Sequence, residues 1–521
     1  MIFRRAVFAV FASLLLVHPA CAAPATENNL LRLHWLGLKS VSADTNAAQL
    51  MKVWQLPQTV ALVAQTLDKL SRCPGHGNTN AASAALRPLL DDLITSEFYL
   101  ELSASTNHQP STINYQLSLA LRLPADRARL WQTNLAAASA AWAAAGTPHR
   151  IDVSRTGDWT LVGVGLDKPI GKSAFAARLT LPSLSGTHDW LEADFALSHL
   201  TPTLSPHPTG GEGGDEAGIF STINHQLSTI NSLHLTLSGD AGNVHTRATA
   251  DFSRPLETPL PVWQIPTNLI HAELTSFTAV RGFAPWLTTL PAWQNLQLAP
   301  VPDQAFVWAQ SGAPFQTYFA APLPGASNQL AHLAGLLVQN VNPWLATNFQ
   351  GEFSFQWSAS LPGLVWNDAL IFSPYLKPIL GNQQDYVLGG MMPLPAGDTS
   401  PPPAEILHVM LGITNLVYYQ TENTGSRIEE ALWITQLFRS VFHKPPLPPA
   451  GAAATWLSKT EPLLGGSATS VTLTGPQQFT LARNSTTGFT ALELHLLADW
   501  LESPHFPRGL HTFLAPPDKT P

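Results

Sequence analysis

The sequence predicts an α+β fold: antiparallel sheets built from β-meanders and hairpins, helices packed on one face, and two tandem domains. Three observations carry that expectation. Segments such as Ile113, Tyr115, Leu117, Leu119 and Leu121 place apolar residues at alternate positions, as in a strand buried on one side, and one-sided burial is common in antiparallel sheets. Helical patterns gather before and between runs of strands, which argues against a doubly wound parallel sheet. A proline-rich passage, residues 255–266, separates two stretches that each mix both patterns.

Residues 1–23 read as a signal peptide. Arg4 and Arg5 precede an apolar run at 6–17, and Ala20, Cys21 and Ala22 supply small residues for cleavage after 22 or 23. The run is shorter than the roughly 20 residues of a membrane-spanning helix, and no later stretch of the sequence supplies one. The expected mature chain is secreted or periplasmic, with no transmembrane span after the signal. Lipidation at Cys21 is the weaker reading, because His18, Pro19 and Ala20 lack the leucine that such processing favours.

The N-terminal domain is expected over 24–254. Residues 58–70 set Val60, Val63, Leu67 and Leu70 on one helical face behind Pro57, which suits a first helical turn. Leu86, Leu89, Leu90, Leu93 and Ile94 repeat the pattern. Strands follow at 98–102 and 113–123. A helix over 124–145 carries the stripe Trp131, Leu135, Ala138 and Trp142. Residues 159–166, 175–181, 191–197 and 233–237 alternate and read as strands. Residues 201–218, rich in Gly and Pro, have little to bury and read as a mobile loop. Residues 111–117 are nearly repeated at 221–227, which reads as duplication of one short element.

Beyond the 255–266 linker, a Trp-rich C-terminal domain is expected over 267–515. Helices are predicted at 327–341 and 426–442, the second opened by a Ser426/Glu429 capping box. Strands are predicted at 353–357, 406–410, 416–419, 471–473, 479–481 and 492–496.

Composition narrows the function classes. Charged residues are 12% of the 521, about half the ~25% usual in soluble proteins, so uncharged polar side chains must cover much of the surface. A net charge of −8 without a basic cluster leaves little to neutralise phosphates, and no nucleic-acid partner is expected. A single mature thiol, Cys73, excludes an internal disulfide. Cys73 and His76 fall short of the three or four ligands of a zinc site, so neither metal nor cofactor is expected. Gly165, Gly171, Lys172 and Ser173 miss phosphate-loop spacing by one residue, and Lys172 is placed between two strands. Gly465–Thr469 lacks the last glycine of a nucleophile elbow. Glu192 and Asp194 are expected on the solvent face of a strand. Glu422, Glu429 and Glu430 surround a helix start, where acids meet the helix dipole favourably.

The remaining candidates are seven of the 16 tryptophans: Trp263, Trp286, Trp293, Trp308, Trp344, Trp357 and Trp366. Exposed together they would suit a glycan or a lipid chain; the structural alternative is that they fill the core, since tryptophan is highly buried on average. The leading expectation is an exported, non-enzymatic envelope or extracellular protein with a binding or scaffolding role, its partner an envelope component, glycan or lipid. A carrier or sensor for an apolar ligand in a sheet–helix cleft, and a secreted polysaccharide hydrolase, are the alternatives.

Overall fold

The computed structural model describes residues 28–72, 80–106, 113–144, 150–166, 168–179, 189–197, 229–240, 242–256, 260–271, 273–296, 298–310, 316–348, 354–360, 362–367, 373–394, 400–441, 451–503 and 506–507. The expected signal peptide, Cys73, the 201–218 loop and the 221–227 repeat lie outside them.

In chain order the first half holds β1 (Asn28–Trp35), α1 (Leu38–Ala43), α2 (Ala48–Trp54), α3 (Pro57–Arg72), α4 (Asn80–Thr95), β2 (Phe98–Thr106), β3 (Ile113–Arg122), α5 (Ala125–Ala144), β4 (Ile151–Thr156), β5 (Trp159–Val164), α6 (Ala174–Arg178), β6 (Leu191–Ala196), β7 (Ile230–Asp240) and β8 (Asn243–Phe252). The second holds β9 (Leu274–Arg281), α7 (Ala284–Leu287), α8 (Pro291–Leu296), β10 (Gln304–Gln310), β11 (Thr317–Pro322), α9 (Ala326–Leu336), α10 (Asn342–Asn348), β12 (Ser354–Ser358), β13 (Gly363–Asn367), β14 (Tyr375–Gly381), β15 (Gln384–Gly390), α11 (Ala404–Gly412), β16 (Leu416–Asn423), α12 (Thr424–Val441), α13 (Ala452–Thr460), β17 (Gly466–Gly475), β18 (Gln478–Ser485) and α14 (Ala491–Glu502).

The 18 strands among the described residues form one open antiparallel sheet, in the order β4-β5-β3-β2-β1-β6-β7-β8-β18-β17-β16-β9-β10-β11-β15-β14-β13-β12. The halves repeat one plan. From β1 the chain steps outward through β2 and β3 and returns on the other side as β6, β7 and β8; from β9 it steps through β10 and β11 and returns as β16, β17 and β18. The plans meet where β8 pairs with β18, from Val244 opposite Ser485 to Asp251 opposite Gln478.

Directly opposed residues share a face, so one row can be followed across the sheet. Leu121, Phe98, Trp35, Leu191 and Leu237 lead through polar Thr246, Arg483, Thr469, Gln420 and Thr278 to Val307, Phe319, Gly389, Leu376, Leu364 and Trp357. This face bears most of the helices. α4 and α5 bury Leu86, Leu89, Trp131, Leu135, Ala138 and Trp142 against β1–β3. α2 and α3 from the first half share a core with α12, α13 and α14 from the second, centred on Leu62, Leu67, Leu457 and Leu494. α9 covers Val387 and Leu376 through Leu330 and Leu333.

Helices are not confined to that face. α6 buries Phe175 on the other side, against Ala120 and Leu161. There too α11 covers Phe277, Phe306 and Tyr419, together with Trp263 and Ile265 of the proline-rich passage. Residues 260–266 of that passage pack as a strap. The buried Arg281 guanidinium stacks 4.6 Å over Trp263 and donates to the carbonyls of Pro261 (2.6 Å), Thr414 (2.5 Å) and Leu416 (2.7 Å).

Three segments expected as strands from alternation hold helices instead. In the 175–181 segment, described as far as 179, α6 runs to Arg178, and Ser173 caps it by accepting the Ala176 amide. At 406–410, Ile406 and Met410 are buried one turn apart in α11. At 492–496, a capping box between Thr490 and Glu493 opens α14. The expected Ser426/Glu429 box gives way to Asn423, whose Oδ1 accepts the Ser426 amide. In α3 the buried face runs through Thr59, Leu62, Thr66, Leu67 and Leu70, with Val60 exposed; Thr59 accepts the Trp456 indole N–H (2.9 Å). Lys172 precedes the short helix α6 instead of a strand, and the phosphate-loop spacing still fails.

Because one core joins the halves, Leu457→Ala should destabilise both, by about 2–5 kcal/mol. Hydrogen exchange read separately over β1–β3 and β9–β11 checks this; acceleration confined to the second half would contradict it. His495, buried in α14, has its pKa lowered by burial, with Asp499 opposing. Its folded value therefore lies below the unfolded ~6.5, so its contribution is intact above pH ~6.5 and lost as pH falls through the folded value. Urea denaturation between pH 7.5 and 5 should lose less stability in His495→Gln than in the unaltered chain.

Candidate functional site

On the helix-bearing face, over β10, β11 and β13–β15, lies a groove of about 370 Å³. Its floor is the apolar end of the row described above: Val307, Phe319, Gly389, Leu376 and Leu364 from five consecutive strands. Gly389 makes the depression. A Cβ there would stand 2.8 Å from Leu376 Cδ2 and 3.6 Å from Phe319 Cδ1. The wall is the β12–β13 hairpin, where Phe355 opposes Trp366 with centroids 5.5 Å apart and planes within 19°. Thr317, Pro374 and Met391 close the end.

The wall is held from outside. Asn342, at the start of α10, donates from Nδ2 to the Phe355 carbonyl and accepts the Phe355 amide at Oδ1, both at 2.8 Å. One side chain thus satisfies both backbone groups of Phe355 in an edge strand. Beneath the same strands, on the opposite face, Tyr375 donates to the Met392 carbonyl and Tyr318 to that of Pro393, each at 3.0 Å. Burial raises both phenol pKa values, that of Tyr375 to about 12 with Tyr318 adding to it, so both remain donors at neutral pH.

The seven tryptophans divide. Trp366 lines the groove, and Trp357, 39% exposed, shares the hairpin face at its rim. Trp344 is exposed on α10, two residues from Asn342. Trp263 and Trp308 are core residues of the opposite face. Trp286 and Trp293, on α7 and α8, are partly exposed and do not line the groove. Sequence reasoning missed Val307, Phe319, Gly389 and Leu376, which only strand register brings together.

The flagged carboxylates lie elsewhere. Glu422 does meet a helix start, but that of α14: its Oε1 accepts the Ala491 amide at 2.7 Å. Glu430 is held by Arg427 and Thr275. Glu192 and Asp194 share the open face of β6 with His234. No protein-family model, curated protein or solved structure matches this chain.

Replacing Asn342 by Ala strands the Phe355 amide and carbonyl. Hydrogen exchange over 354–358 should quicken, with a loss of about 1–3 kcal/mol; unchanged protection would show that Asn342 does not hold the wall.

Proposed function

We propose that this chain is an exported, non-enzymatic binding protein that carries or senses an apolar molecule in the groove of its helix-bearing face. The observation that supports this is the groove, whose volume of about 370 Å³ falls within the roughly 300–1,000 Å³ of small-ligand pockets. Area removed from water contributes about 25 cal/mol per Å² to such binding, and the Phe355 and Trp366 rings offer flat surfaces for offset stacking. Export rests on the composition of residues 1–23. The hydrolase reading draws no support here: among the described residues the groove lining has no carboxylate, whereas a glycosidase needs two acids across its cleft.

The test is titration of the purified chain with the fluorescent apolar probe N-phenyl-1-naphthylamine. Saturable binding with one main site is expected, weakened at least ~10-fold, or 1.4 kcal/mol, in Trp366→Ala and unchanged in Trp433→Ala, an exposed tryptophan on α12. Absence of saturable binding, or equal affinity in both variants, would refute the proposal.

A further inference from the structure

On the opposite face of the sheet, remote from the groove, we infer that Glu192, Asp194 and His234 form a binding site for a divalent transition metal of the zinc class. Each offers one ligand atom, and the three atoms lie within 4.8 Å of one another. Asp194 and His234 are directly opposed on β6 and β7, and Glu192 stands two residues along β6 on the same face. The donors are therefore set by the register of two interior strands, not by a loop. Zinc bonds of ~2.0–2.2 Å to imidazole and carboxylate call for donor atoms roughly 3.4 Å apart, which small rotamer changes supply. Two carboxylates and an imidazole suit zinc, manganese or ferrous iron better than calcium or magnesium, which prefer all-oxygen shells.

The cations nearest the site are engaged elsewhere or set one strand further off: Arg122 pairs with Glu97 and Arg178 with Glu101. Arg32 faces Asp194 from β1 but is paired with Glu101 at 3.4 Å, and His34, opposite Glu192, contacts Glu97 at 3.2 Å and stacks on Tyr99. Arg247, opposite Thr236 on β8, is the cation on the far side. Among the described residues no side-chain hydrogen bond or ion pair joins Glu192. Asp194 is met only by His234, at 2.7 Å through Nδ1. A metal entering between them requires the neutral imidazole to carry its proton on Nε2, leaving the Nδ1 lone pair for the ion.

The experiment is calorimetric titration of the EDTA-treated, dialysed full chain with Zn²⁺ and with Mn²⁺ at pH 7.5. One equivalent should bind saturably. Glu192→Gln and His234→Ala should each lose at least the ~10-fold that removal of even an outer-shell partner costs. His245→Ala removes the other exposed His–Asp pair, with Asp240, and should leave that equivalent unchanged. Circular dichroism verifies that the three variants are folded. Failure of both ions to bind saturably, retention of affinity in Glu192→Gln or His234→Ala, or its loss in His245→Ala would overturn the assignment.

Discussion

Everything in this structure depends on strand register. In a sheet of 18 antiparallel strands a slip of one residue moves every side chain of a strand to the other face, and here the two faces are differently used. The row from Leu121 to Trp357 stays in step through strands from both halves, so apolar floor, polar centre and groove fall on one surface. The bulges recorded in β1, β7, β9, β16 and β17 leave that row unbroken.

An open sheet also has two faces to cover and two edges to guard. The edges are met by local devices: Asp152 of β4 accepts the Ile170 amide at 2.6 Å, and Asn342 engages Phe355 of β12. The faces are met unequally. Helices from both halves share one core over the middle of the helix-bearing face, where Glu422 and Glu493 anchor the first turn of α14. The groove is the part of that face near the β12 edge where apolar floor remains in reach of a ligand. The open face opposite keeps its charges between α6 at one end and α11 at the other.

Much of this was legible in the sequence wherever a segment was long enough to show its period. The stripe of Trp131, Leu135, Ala138 and Trp142 is buried as expected, and the alternation of Leu117, Leu119 and Leu121 faces the same core. Short windows misled. Leu492, Leu494 and Leu496 alternate over five residues, but Leu494, Ala498 and Leu501 carry the helical spacing that decides their fate, and Leu492 is exposed. The tryptophan cluster pointed to the right half of the chain but not to the right surface, because Trp308 and Trp366 differ in which face their strands present. Gly389 carried no signal at all; its role exists only between Phe319 and Leu376.

The proposed place for an apolar molecule is the floor of Phe319, Gly389 and Leu376 beneath the Trp366 wall. Crystals soaked with a brominated alkane test it most directly, since bromine can be located by anomalous scattering. A bromine peak is expected over Gly389, between Phe319 and Trp366. Peaks found only in other parts of the molecule, or none in a crystal whose groove is open to solvent, would contradict it.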